Sequence, residues 1–255
     1  MAYFERVDDG AYRATKEVGG AWDTGTQHIA PALGLLTHVV ERDRDARRAD
    51  GLVVGRLSYD ILGTIPIEVM HARVRVLRPG RSVELVEAAL SHDGRDAVLL
   101  RAWLMRPGDT AALRGTAYPR ITPVDEMAPW DPSSVWPGGF IESAEVRREQ
   151  VEPGRAAFWV RTAVRLIDDE DVSPLARVAG LFDIANGMTV RADPRKVAFP
   201  NVDLTAHLFV EPRGEWIGFD TTVTFGATGI GLTSSVLHDA DGPIGTLAQI
   251  LTLRP

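Results

Sequence analysis

The chain closes twice on the same pattern. Leu90, His92, Asp93 and Gly94 lead through an apolar run into Arg106 and Pro107, and Leu237, Asp241 and Gly242 lead through another into Arg254 and Pro255. Each ending is strand, Asp-Gly turn, strand, Arg-Pro. An Asp-Gly pair between two alternating apolar runs is a hairpin signal. An internal repeat constrains a chain more than any single motif, because both copies must fold as the same unit.

The elements ahead of each hairpin also repeat. Residues 26–42 carry Ile29, Leu33, Leu36, Val39 and Val40 at helical spacing, with Pro31 near the first turn, where a missing N–H costs little. Strands are expected at 53–62, 67–77, 82–91 and 97–105. In the second half, Ser173 and Pro174 form a cap and first-turn pair for a helix over 174–189, with Leu175, Val178, Leu181, Phe182 and Ala185 as its stripe. Strands are expected at 202–210, 216–225, 231–238 and 245–253. One helix followed by about four antiparallel strands, twice, reads as a duplicated α+β unit.

Residues 107–143 hold Pro107, Pro119, Pro123, Pro129, Pro132 and Pro137 and cannot continue a central strand or helix. The division is therefore 1–107, a linker at 108–142, and 143–255. Aromatics in such a linker usually anchor it to the core; a sharper alternative makes Trp130, Trp136 and Phe140 a wall of a ligand site.

Several chemistries are unsupported. The chain has no Cys, so thiol nucleophiles and Cys-based zinc sites are excluded. The charge of −7 argues against a nucleic-acid partner. No apolar run reaches membrane-span length, and the N-terminus lacks a signal-peptide layout, so a cytoplasmic protein without membrane partners is expected. No Gly-x-Ser-x-Gly elbow and no His-x-x-x-His spacing occurs. The Gly-rich stretch 226–231 precedes a strand rather than a helix and reads as a turn. The acidic run 168–171 reads as a solvated loop. No cofactor is expected.

Polar residues in strand surroundings remain. Alternation puts Val202, Leu204, Ala206 and Leu208 on one face and Asp203, Thr205 and His207 on the other. Thr224 lies late in its strand, and Gln249 sits among apolar neighbours, where a buried amide needs a partner. Asp203 as base, with Thr224 and Gln249 as hydrogen-bonding partners, could orient a water.

These residues carry a resemblance. The stretches 179–187, 199–208, 212–216 and 241–249, with 22–28 and 74–80 in the first half, resemble the thioesterase superfamily that includes type II acyl-CoA thioesterases. That resemblance implies a double hotdog fold, an acyl-CoA substrate, and an active site of Asp, Thr and Gln in the second hotdog, matched here to Asp203, Thr224 and Gln249. His28 is followed by Ile29, Ala30 and Pro31 rather than a Gly-rich start, and Arg101 stands where the hairpin alignment puts the counterpart of Gln249. The first hotdog therefore reads as structural. The alternative is a hotdog protein that binds acyl-CoA or lipid without hydrolysing it. A hydratase lacks support, since Asp203 is followed at the fifth position by Leu208, not His. The sheet edges offer pairing surfaces for a homo-oligomer.

Overall fold

The computed structural model describes residues 1–255. The first half runs β1 (Ala2–Asp8), β2 (Ala11–Ala14), α1 (Ile29–Arg47), β3 (Val53–Ile61), β4 (Val69–Arg78), β5 (Val83–His92) and β6 (Arg95–Met105). The second runs β7 (Pro129–Trp130), α2 (Gly139–Glu142), β8 (Ala144–Glu152), β9 (Arg155–Thr162), β10 (Arg165–Ile167), α3 (Pro174–Ala179), α4 (Ala185–Met188), β11 (Asp203–Leu208), β12 (Ile217–Phe225), β13 (Ile230–Asp239) and β14 (Gly242–Thr252).

All the strands form one sheet in the order β10-β1-β2-β4-β5-β6-β3-β11-β14-β13-β12-β9-β8-β7. Its halves join antiparallel through β3 and β11, with Ser58 opposite Thr205 and their hydroxyls 2.9 Å apart. Only the β1–β10 pair is parallel. The sheet curls around the helices until its ends approach: Tyr3 on β1 hydrogen-bonds Ser143 at 2.5 Å and Thr162 at 3.2 Å. One continuous apolar core draws on both halves. A long helix wrapped by an antiparallel sheet, doubled and joined edge to edge, is the double hotdog arrangement. No helix is long and apolar enough to cross a membrane.

The hairpins follow their turn residues. Asp93 and Gly94 both adopt positive φ, 47° and 73°, the geometry of a two-residue turn that matches strand twist. His28 caps α1, its Nδ1 accepting the Ala30 N–H at 3.2 Å. Ser173 caps α3 through the Ala176 N–H at 2.9 Å.

The structure departs from the sequence expectation in four places. The repeat unit is larger, because a hairpin precedes each helix: β1–β2 turning at Gly10 (φ 72°) and β8–β9 turning at Gly154 (φ 80°). The second helix is not continuous. It stops at Ala179, passes through a 3₁₀ turn at Phe182–Ile184, and resumes as α4. The interruption falls where α1 crosses α3: a Cβ on Gly34 would lie 2.8 Å from the Ala176 carbonyl and the Gly180 Cα. Glycine is also a poor helix former. The Pro-rich segment supplies an edge strand, β7, and the short α2. The acidic loop is not merely solvated, since Glu170 pairs with His38 at 2.8 Å and faces Arg42 at 3.5 Å.

Candidate active site

Gln249 points inward from β14, between Leu247 and Leu251 on the same face, and is fully buried. Its Nε2 donates to Asp183 Oδ1 at 2.8 Å. Asp203 and Thr224 do not join it. On β11, Leu204 and Ala206 are buried while Asp203 alternates with them, and its Oδ1 accepts the Ile250 N–H at 2.7 Å. Because Asp203 alternates with the inward Leu204 and Ala206, its carboxylate lies on the other side of the strand pair from Gln249. Thr224 is exposed on the outer face of β12. The inward hydroxyl of that strand belongs to Thr221, which bonds Ser235 at 2.8 Å. The expected convergence of Asp203, Thr224 and Gln249 is thus replaced by a cluster around Asp183, because period-two alternation separates the three across the sheet.

Asp183 sits in the 3₁₀ turn after the helix break, which brings its carboxylate down onto the sheet. Two amides address the same oxygen: Asn201 Nδ2 donates to Oδ1 at 2.6 Å, and Gln249 Nε2 at 2.8 Å. Asn201 is held in turn by the Asp203 carbonyl at 3.1 Å. Burial pushes the Asp183 pKa up to about 7, against the pull of these two hydrogen bonds. A carboxyl poised near neutrality suits a general base.

Asp183 borders a cavity of about 420 Å³ between the halves. The first half contributes the segment around Trp22, His28 and Ile29, and the loop from Ile61 to Ile65; the second contributes Ile184, Asn186, Met188, Asn201 and Val202. His28 Nδ1 lies 3.9 Å from Asp183 Oδ2. Burial lowers the His28 pKa to about 3, so the ring is neutral and the two do not form an ion pair. Phe140 stacks on the imidazole at 4.2 Å and fixes its plane. With Oδ1 saturated by amides, Oδ2 is the oxygen left to receive a proton. No group of three or more His, Asp or Glu side chains is gathered for a metal ion.

The linker divides in role. Trp136 and Ile141 line the cavity, Phe140 supports His28, and Trp130 lies outside it, beneath the Arg148 guanidinium at 3.7 Å. The first half holds no copy of the carboxylate. Thr37 follows Gly34 by three positions, as Asp183 follows Gly180. Its hydroxyl bonds the Leu33 carbonyl at 2.9 Å and Tyr59 Oη at 2.6 Å, with no exposure. Arg101 points outward and pairs with Glu87 at 3.1 Å.

Asp183 and Asn201 were not singled out as site residues by sequence reasoning. The signal for Asp183 was present: an acidic residue flanked by Leu181, Phe182, Ile184 and Ala185 is as anomalous as Gln249 in its strand.

A family model of the acyl-CoA thioesterase N-terminal domain matches residues 18–106, and one of the acyl-CoA thioesterase C-terminal domain matches residues 119–253. No curated protein matches the chain by sequence. Among solved structures, a candidate thioesterase from Novosphingobium aromaticivorans DSM 12444 is similar at 21% identity and a TM-score of 0.75, covering 100% of both chains. A hot dog protein of unknown function from Alicyclobacillus acidocaldarius aligns at 14% identity and a TM-score of 0.75, over 98% of this chain and 95% of its own. An acyl-CoA thioesterase II from Mycobacterium marinum aligns at 17% identity and a TM-score of 0.68, over 98% and 95%. At these identities the likeness concerns the fold.

Proposed function

Because the chain belongs to the acyl-CoA thioesterase family, we propose that it hydrolyses an acyl-CoA to the free acid and CoA, with Asp183 as general base. The observation that carries this reading is the Asp183 carboxyl at the cavity wall, with one oxygen fixed by Asn201 and Gln249 and the other unengaged by them. A water between Oδ2 and the thioester carbonyl gives its proton to Asp183 as its oxygen bonds to the carbonyl carbon. The carbonyl π electrons move onto oxygen. When the tetrahedral intermediate collapses, the C–S bond breaks and the proton passes from Asp183 to the departing thiolate.

The oxyanion needs donors that do not reorganise during the step. The N-terminus of α1, a 19-residue helix, supplies a partial positive charge there, and its His28 and Ile29 border the cavity. Neutral His28 adds no charge that would over-stabilise the bound carboxylate product. Asn201 and Gln249 act as positioning residues on Asp183. Asp203 instead ties β11 to β14 through Ile250.

The test is thiol release from a panel of acyl-CoAs, run beside calorimetric titration of a non-hydrolysable thioether analogue. Turnover with binding supports the hydrolase. Binding of the analogue with no thiol release from any substrate favours the non-hydrolytic acyl-CoA binder.

A further inference from the structure

We infer that Trp136 sets the length of acyl group the cavity accepts, and that the substrate carries a medium-length or ring-bearing acyl group rather than a long fatty chain. The inference rests on the hydrolase reading above.

Three aromatic rings pack against one another beside the cavity. Trp22 is 47% exposed at the rim, Trp136 is 4% exposed, and Phe199 is 1% exposed. Trp136 meets Trp22 edge-on at 4.8 Å and Phe199 edge-on at 5.9 Å. Trp22 and Trp136 line the cavity; Phe199 packs edge-on against both, at 5.3 Å from Trp22, and does not line it. Trp136 is therefore the buried ring of this cluster that walls the cavity, with Phe199 packed against it.

The ring is held rather than loosely packed. Its Nε1 donates to the Gly187 carbonyl at 2.9 Å. Gly187 has no side chain to push the indole away: a Cβ there would lie 3.3 Å from Nε1. Gly187 stands four positions after Asp183, on the short helix that follows the proposed base. One contact thus fixes the wall relative to the reacting centre. The backbone that carries Trp136 is itself pinned: Asp131 caps the turn at Pro132–Ser134, and the Phe140 N–H bonds the Gly19 carbonyl at 3.2 Å.

Volume then sets the substrate class. The cavity of about 420 Å³ lies near the lower end of the ~300–1,000 Å³ common for small-molecule sites. The thioester shares that space with the acyl group, which favours an acyl group of medium length over a long fatty chain. Aromatic walls suit a ring-bearing acyl group equally, through edge-to-face contact.

The experiment measures kcat/KM for butanoyl-, octanoyl-, phenylacetyl- and palmitoyl-CoA, below micelle-forming concentrations, on the parent chain, Trp136→Phe, Trp136→Leu and Gly187→Ala. The parent should favour octanoyl- or phenylacetyl-CoA over palmitoyl-CoA by at least about tenfold. Trp136→Leu should move the octanoyl-to-palmitoyl ratio about tenfold toward palmitoyl, and Trp136→Phe by less. Gly187→Ala, whose methyl crowds the indole and adds to the cavity wall, should move the octanoyl-to-butanoyl ratio toward butanoyl. If Trp136→Leu fails to fold, the Trp136→Phe and Gly187→Ala shifts, in opposite directions, decide the matter. A parent preference for palmitoyl-CoA, or folded variants that all keep the parent profile, overturns the inference while leaving the hydrolase in place. No thiol release from any substrate overturns the hydrolase reading and this inference with it.

Discussion

Gln249, fully buried on the last strand, spends its amide N–H on the Asp183 carboxylate, 2.8 Å away on the segment that follows α3. Its own Oε1 finds no hydrogen-bond partner, and neither does the hydroxyl of Thr233, the residue directly opposite it on β13. The amide is thus committed to the carboxylate at a cost to its own satisfaction. An unpaired buried acceptor costs about 1–3 kcal/mol.

Gln249→Met tests that role. Met keeps the bulk and removes one of two donors to Oδ1, so the carboxylate form loses support and the Asp183 pKa rises further. The midpoint of the pH–kcat/KM profile should move upward, with a rate loss smaller than that of replacing Asp183. A lowered rate with an unmoved midpoint would make Gln249 a packing residue only.

The pH dependence of stability carries a sign. The Asp183 pKa is about 7 in the folded chain and about 3.8 in the unfolded one. Between these values the folded state holds a proton the unfolded state has released, so stability falls as pH rises through that window. The full penalty above pH 7 is on the order of 4 kcal/mol. Asp183→Asn removes it and should raise the melting temperature at pH 8 by several degrees, while leaving it near the parent value at pH 4. A variant less stable than the parent at pH 8 would contradict this.

His28 has the opposite sign. Its folded pKa of about 3 lies below the unfolded value of 6.5, so its burial costs stability as pH falls below 6.5. His28→Gln should narrow the loss of melting temperature between pH 7 and pH 4, as read by thermal unfolding. An unchanged acid slope would place the acid sensitivity elsewhere.

The helix crossing is a third point of attack. Gly34→Ala puts a methyl 2.8 Å from backbone atoms of Ala176 and Gly180, which cannot swing aside. Overpacking of this kind costs about 1–3 kcal/mol. For a chain of this size that is roughly 2–12 °C in melting temperature. A melting temperature equal to the parent's would show that the two helices separate freely.

The central strands were readable because their alternation is enforced by the core: Leu204 and Ala206 on β11, and Leu247 and Leu251 on β14, face it. β8 was not, since its sequence Ala144–Glu152 is rich in Arg and Glu and lies near the sheet edge, where the core imposes little. The break in the second helix was invisible for another reason. Gly180 is a weak local stop inside an apolar helical stripe, and the close approach of Gly34, far away in sequence, is not visible in it. Gln249 was legible as a polar residue in an apolar strand. Asp183 carries a similar signal among Leu181, Phe182, Ile184 and Ala185, weakened because a carboxylate on the solvent side of a helix is ordinary. Which threonine of β12 faces inward is not legible locally, because the strand carries threonines on both faces; Thr224 faces out and Thr221 in.

Asp203 and Thr224 provide the controls. Asp203→Asn keeps an acceptor for the Ile250 N–H, and Thr224→Val changes an exposed side chain. Both should keep turnover within a few-fold of the parent, with stability changes of about 1 kcal/mol or less. A loss of a hundredfold in either would return the reacting centre to the outer face.

The most direct measurement compares thiol release from octanoyl-CoA at pH 8 by the parent, Asp183→Asn and Asp203→Asn, each shown to be folded and to bind a non-hydrolysable thioether analogue. Asn at 183 keeps the size of the side chain and an acceptor for both amides, but cannot take a proton from water. Asp183→Asn should lose about 10²–10⁴ in rate while retaining the analogue, and Asp203→Asn should turn over like the parent. Parent-like turnover by Asp183→Asn would show that Asp183 is not the base.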